Sequence, residues 1–203
     1  MRKNLAFALV VGFAAALAMA SQCSAGKYNK KLNVGDAAPQ WSGAAGIDNK
    51  KHALADHKDA KAVVVVFTCN HCPVADFYDE RLVQLQKDYK DKGVQLVAIS
   101  VSTMEADKLP KMKEKAETKK FNFPYVHDET QKVGRDFGAT ATPQVFVLGA
   151  DRKIAYMGAI DDSWADPAEV KNAYLRDALD AVLAGKPPAV TETKPKGCGI
   201  EYE

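Results

Sequence analysis

The chain lacks an excess of charge of either sign: 28 Lys and Arg face 26 Asp and Glu over 203 residues, a net of +2. No field of one sign is available to recruit nucleic acid or an anionic membrane surface, so neither is expected as a partner. Cysteine is also scarce, with four in the whole sequence. That is too few to staple a small scaffold, so the core has to be hydrophobic and any cysteine pair serves chemistry before structure. Histidine is just as sparse, and His52, His57 and His127 are scattered where a zinc site would need a second ligand pair. There is no internal repeat and no low-complexity domain. The length suits one sizeable core, with 47% hydrophobic residues to fill it.

Long apolar runs are missing except at the start, where Arg2 and Lys3 precede Leu5 to Ala20 and small residues stand at Ala18 and Ala20. This pattern predicts a secretory leader over residues 1–20, cleaved near Ala20, and hence an exported protein, periplasmic or extracellular, with no stable membrane insertion. Export alters what the cysteines mean, because an oxidising compartment lets disulfides persist.

Two of them stand in FTCNHCPVA, residues 67–75. The two-residue spacing of Cys69 and Cys72 suits a haem anchor, a zinc corner or a redox pair. Haem attachment needs histidine directly after the second cysteine, where the chain has Pro73. Zinc lacks its other ligands, so metal is set at none. The surroundings favour redox chemistry. AVVVVF (62–67) reads as a strand buried on both faces, and from Pro73 the apolar residues Val74, Phe77, Tyr78, Leu82, Leu85 and Tyr89 recur at helical steps as far as Asp91, with Gly93 as the stop. The pair therefore falls at a helix N-terminus, whose unpaired N–H groups and dipole favour a thiolate, the nucleophilic form. Cys69 is expected to be the more exposed, attacking sulfur and Cys72 the one that closes the bond. His71 between them is expected to tune the thiolate, its alternative being a solvent-facing turn residue.

VQLVAISV (94–101) predicts a second buried strand, parallel to the first. The segment 104–121 reads as a solvated, charged helix interrupted at Pro110. A short extended piece at 124–126, a short helix over 130–137 and a hairpin across QVFVLGADRKIAYMG (144–158) follow. Asp166 is expected to cap a helix from Pro167 to Gly185, buried through Val170, Ala173, Tyr174, Ala178, Val182 and Leu183. The segment from Val34 to Lys58 reads as irregular. The tail, 186–203, is expected to lie extended over the surface, carrying Cys198 between two glycines.

VGDAAPQW (34–41), VVVVFTCNHCPV (63–74) and ATATPQVFVLGADRKIAYMG (139–158), taken in this order, resemble the alkyl hydroperoxide reductase and thiol-specific antioxidant (redoxin, peroxiredoxin-like) branch of the thioredoxin-fold proteins. NHCP, TPQVFVL, GAIDDS, LRDALDAVLAGK and GCGIEY are similar to a group of uncharacterised peroxiredoxin-like proteins that end in a Gly-Cys motif. The resemblance implies an α/β thioredoxin-like domain over residues 34–185 with a central mixed sheet. It implies a cis bond before Pro143, with Thr142 and Pro143 beside the cysteines to bind a substrate. It further implies a thiol–disulfide oxidoreductase without cofactor, Cys69 attacking and Cys72 resolving, with Cys198 as a further resolving thiol. The expected partners are protein or small-molecule thiols and disulfides, or peroxides, and a recycling redox partner. Two other functions stay open: an antioxidant thiol peroxidase using Cys72, and a non-catalytic binding module with a structural disulfide. The proline and threonine that precede the peroxide-reacting cysteine of peroxiredoxins have no counterpart: counted back from Cys72 their places hold Val65 and Cys69, and from Cys69, Ala62 and Val66.

Overall fold

The run AVVVVF forms strand β3 (Ala62–Phe67), and its side chains divide between two cores as a two-residue repeat requires. Ala62, Val64 and Val66 enter one apolar cluster, while Val63, Val65 and Phe67 enter the other. All six are fully buried. Each such valine contributes roughly 1.5–3 kcal/mol of burial free energy, which makes this strand the spine of the sheet. The computed structural model describes residues 26–203, so the expected leader and Cys23 lie outside the described residues. Among those described, no helix is long and apolar enough to cross a membrane.

Around β3 the remaining elements follow in chain order. β1 (Ser42–Gly46) and β2 (Lys51–Ala53) precede it; α1 (Pro73–Tyr89), β4 (Val94–Ser100), α2 (Leu109–Lys119), β5 (Tyr125–His127) and α3 (Lys132–Phe137) come after it. Then come β6 (Ala141–Thr142), β7 (Gln144–Leu148), β8 (Ile154–Gly158), α4 (Tyr174–Leu183) and β9 (Cys198–Gly199). The main sheet runs β2-β1-β5-β4-β3-β7-β8, with β3 parallel to β4 and antiparallel to β7. This is a mixed sheet with helices packed against it, the α/β thioredoxin-like architecture. Gly93, at φ 89°, turns the chain from α1 into β4 with a backbone geometry that favours glycine.

The structure corrects four expectations. The lead-in is not irregular throughout, because β1 and β2 pair as a hairpin whose inner strand also pairs with β5. Pro110 does not interrupt a helix; it lies in the first turn of α2, where its missing N–H costs no intrahelical bond. Asp166 caps a single 3-10 turn, Pro167–Glu169, and the helix begins only at Tyr174. Between them Asp162 accepts hydrogen bonds from Lys171 N–H and the Asn172 amide, which hold the chain out of helix, and Leu175 and Leu179 are the buried residues of α4 beside Ala178. Phe77 does not face the core: it is 51% exposed and meets Trp164 edge-on at 5.2 Å. The tail, expected to lie extended over the surface, is hydrogen-bonded to the fold along its length. Met157 exchanges backbone bonds with Thr191 and Thr193, and the Glu192 carboxylate accepts the N–H groups of Lys27, Tyr28 and Asn29 at 2.8, 2.6 and 3.0 Å.

A polar network ties α1 to the loop after β8. Asp161 accepts the Tyr78 hydroxyl at 2.6 Å and Arg81 Nη1 at 2.8 Å, and the same guanidinium donates to the carbonyls of Ser163 and Trp164. This anchors the helix whose N-terminus the cysteines precede.

Candidate active site

The cysteines lie at the C-terminal end of β3, where the chain leaves the sheet. Cys72 is the N-cap of α1: its backbone is extended, Pro73 takes the first helical position, and its Sγ accepts the Ala75 N–H at 3.4 Å. An apolar cluster of Cys69, Cys72 and Ala75, joined by Val74 and Cys198, surrounds the sulfurs. Cys69 and Cys72 are 3% and 0% exposed, so accessibility of the residue hardly separates them. What separates them is a cavity of about 270 Å³ lined by Cys69, His71, Thr142 and the segment Val101 to Met104, in which Cys72 has no share.

Thr142 binds both members of the pair. Its Oγ1 is 3.4 Å from Cys69 Sγ and its carbonyl oxygen 3.1 Å from Cys72 Sγ, and the Thr142–Pro143 bond is cis. The short strand β6 that carries Thr142 pairs with β9, Thr142 opposite Cys198. That pairing brings Cys198 Sγ to 2.7 Å from Cys72 Sγ. A contact between residues 126 apart in sequence thus places the tail cysteine against the pair.

His71 is held by a residue that sequence reasoning passed over. Asp107 is fully buried, and its Oδ1 accepts the backbone N–H groups of Asn70 and His71 at 2.5 and 3.2 Å. Its Oδ2 is 2.5 Å from His71 Nδ1. Because a carboxylate only accepts, Nδ1 carries the proton, and the other ring nitrogen, Nε2, is left facing Cys69 Sγ at 3.9 Å. The Asn70 amide donates to the Ala106 carbonyl and accepts from Tyr125 OH, which completes the seat of the turn. Burial alone would raise the Asp107 carboxyl, but hydrogen bonds from Ser102, His71 and Asn70 outweigh it and hold it below the usual carboxylate range. Nothing in the sequence marks Asp107: it sits in a charged, largely solvated stretch, and only the fold brings it under the turn.

The same contacts distribute protons among the sulfurs. Cys72 is lowered to about 4, chiefly because Cys69 hydrogen-bonds to it, against the opposing effect of burial, with further help from Cys198, Thr142 and the Ala75 N–H. Cys69 is raised, by sharing its proton with Cys72 and by burial. Cys198 is raised to about 11, by burial and by its bond to Cys72. Cys72 is thus the sulfur whose surroundings favour ionisation, and the thiol that faces the cavity is Cys69 with His71 beside it. Ligand atoms of Cys69, His71 and Asp107 also lie within 4.8 Å of one another. Since His71 Nδ1 and Asp107 Oδ2 are bonded to each other, this set reads as a proton relay ahead of a metal pocket.

The chain as a whole is similar to known proteins. The AhpC/TSA family matches residues 34–157. An uncharacterized conserved protein from Geobacillus kaustophilus is 34% identical with a TM-score of 0.80, over 86% of this chain and 95% of its own. A hypothetical protein from Sinorhizobium meliloti 1021 is 29% identical with a TM-score of 0.80, over 86% of this chain and 97% of its own. A thiol:disulfide interchange protein of the thioredoxin family from Chlorobium tepidum is 25% identical with a TM-score of 0.59, over 75% of this chain and 98% of its own. A search of curated proteins finds no match. With its thioredoxin-like sheet and its thiols gathered at the start of α1, the chain belongs to the AhpC/TSA family of thiol oxidoreductases and peroxidases.

Proposed function

We propose that the protein is an exported thiol–disulfide oxidoreductase that uses Cys69 and Cys72 as its redox pair. The observation that supports this reading is the convergence of Cys69, Cys72 and Cys198 on Thr142 at the N-terminus of α1, with Cys69 alone of these three lining the cavity. His71 Nε2 takes the Cys69 proton, and the resulting thiolate attacks one sulfur of a substrate disulfide. A bond forms between Cys69 and that sulfur while the other half leaves as a thiolate and takes the proton from the imidazolium. The Cys72 thiolate then attacks Cys69 Sγ, forming the Cys69–Cys72 disulfide and expelling the second half. Two electrons pass from the protein thiols to the substrate, and a dithiol donor restores the pair. Side chains suffice for every step. The test is disulfide exchange with a model substrate by wild type and Cys69→Ser; equal rates would sink the assignment. Export is tested by the mass of the mature protein, which should begin near Ser21.

A second reading has its own support: the depressed pKa of Cys72 and the Cys198 sulfur 2.7 Å away. Here the Cys72 thiolate attacks a peroxide oxygen, the O–O bond breaks, and Cys198 displaces water from the sulfenic acid to form a Cys72–Cys198 disulfide. Peroxide consumption with a thiol donor, abolished in Cys72→Ser and retained in Cys69→Ser, would favour it over the first.

A further inference from the structure

We propose that the substrate disulfide is a low-molecular-weight one and that the chain's own tail keeps polypeptides off the site; this rests on the oxidoreductase reading above. An extended peptide binds most readily by adding a strand to a free sheet edge, taking affinity from main-chain bonds. The edge beside the pair is that of β6, and β9 occupies it, with Ala141 opposite Gly199 and Thr142 opposite Cys198. The pairing continues past the strand, since Ile200 N–H donates to the Thr140 carbonyl.

The segment is seated on both sides of that contact. Gln131 donates to the Glu201 carbonyl, Tyr202 OH donates to the Ala139 carbonyl, and Arg135 lies over the Tyr202 ring and bonds the Glu203 carbonyl. Ile200 and Tyr202 pack on the second apolar core. Before the strand, Gly197 has φ 155°, and a Cβ there would fall on the Thr142 carbonyl group, so the tail reaches Thr142 only through a glycine.

With the edge filled, a substrate reaches Cys69 through the cavity of about 270 Å³, whose walls include Gly199, Ile200 and Glu201 of the tail itself. A space of that size, near the lower end of small-molecule sites, admits one half of a disulfide such as cystine and leaves no room for a strand of polypeptide. The tail thus completes the cavity and selects against chains in the same stroke.

The test uses full-length protein, reduced beforehand and freed of reductant, mixed with cystine or with insulin while the loss of protein thiols is followed. Wild type should react with cystine at least about 100-fold faster than with insulin, the edge needed for peptide pairing being closed. Gly197→Val drives the tail off β6 and should raise the insulin rate, and the ratio of insulin to cystine rates, at least about tenfold. Insulin reacting as fast as cystine in wild type, or an unchanged insulin rate in a folded Gly197→Val, overturns the proposal. If that variant fails to fold, the wild-type ratio decides. Reaction with neither disulfide would bring down the oxidoreductase reading itself, whereas rapid reaction with insulin would leave that reading standing and remove only the inference.

Discussion

Asp107 Oδ2 lies 2.5 Å from His71 Nδ1, and this contact between a fully buried carboxylate and a half-exposed imidazole sets which ring nitrogen faces Cys69. The carboxylate's other oxygen holds the backbone N–H groups of Asn70 and His71, so it fixes the turn and the ring together. It is therefore Nε2 of His71 that meets the sulfur, at 3.9 Å.

Asp107→Asn should slow alkylation of Cys69 by iodoacetamide and lower kcat/KM for a disulfide substrate by roughly 10- to 100-fold, within the range that a positioned acid–base group supplies. The measurement is made in a Cys72→Ser, Cys198→Ser background for the alkylation and in the otherwise native chain for turnover. An unchanged alkylation rate would show that His71 does not act on Cys69 through this contact.

Cys72, lowered to about 4, gives a pH dependence of definite sign. A group whose folded pKa is depressed stabilises the folded state above its unfolded pKa and loses that contribution as pH falls through the folded value. The Tm of the fully reduced protein should therefore decline as pH is taken from about 9 toward 4, the free-thiol pKa being about 8.5. Cys72→Ser should flatten that slope, and thiolate absorbance at low pH should vanish with it. A slope of the same size in Cys72→Ser would place the thiolate elsewhere.

Asp161→Ala leaves the Arg81 guanidinium and the Tyr78 hydroxyl, both largely buried, without their shared acceptor. Partly solvated pairs lose less than enclosed ones, so a destabilisation of about 2–3 kcal/mol is expected in urea unfolding. A loss below about 0.5 kcal/mol, the level of an exposed ion pair, would mean that water replaces the carboxylate without cost.

Glu192→Ala removes the acceptor of the Lys27, Tyr28 and Asn29 N–H groups and unlinks the tail from the N-terminal lead-in. Stability should fall by about 1–3 kcal/mol, and hydrogen exchange should quicken at residues 27–29 before it does so in β3. Unchanged protection at those amides would argue that the segment is held by other contacts, such as the Asn29 amide on the Phe137 carbonyl.

Local sequence determined the parts of this protein whose free energy is local or periodic. The burial of β3 is one such part: an unbroken β-branched run from Val63 to Val66 has no stable place except a strand covered on both faces, and Pro73 with the apolar repeat behind it has none except a helix start. The position of Cys72 at a helix N-terminus followed from that. Failures came where a local preference was overridden. Asp166, Pro167 and Glu169 carry a good capping signal, yet the Asp162 carboxylate, accepting from Lys171 N–H and the Asn172 amide, cuts the helix off after one turn.

Tertiary structure alone decided the electrostatics of the thiols. Asp107 is 36 residues from His71 and Cys198 is 126 from Cys72, and contacts at such separations depend on how β4, α2 and the tail fold back over the turn, which no spacing in the sequence encodes. The sequence names the sulfurs; the chain's return path decides which one holds the negative charge, which one meets the cavity, and what can reach it.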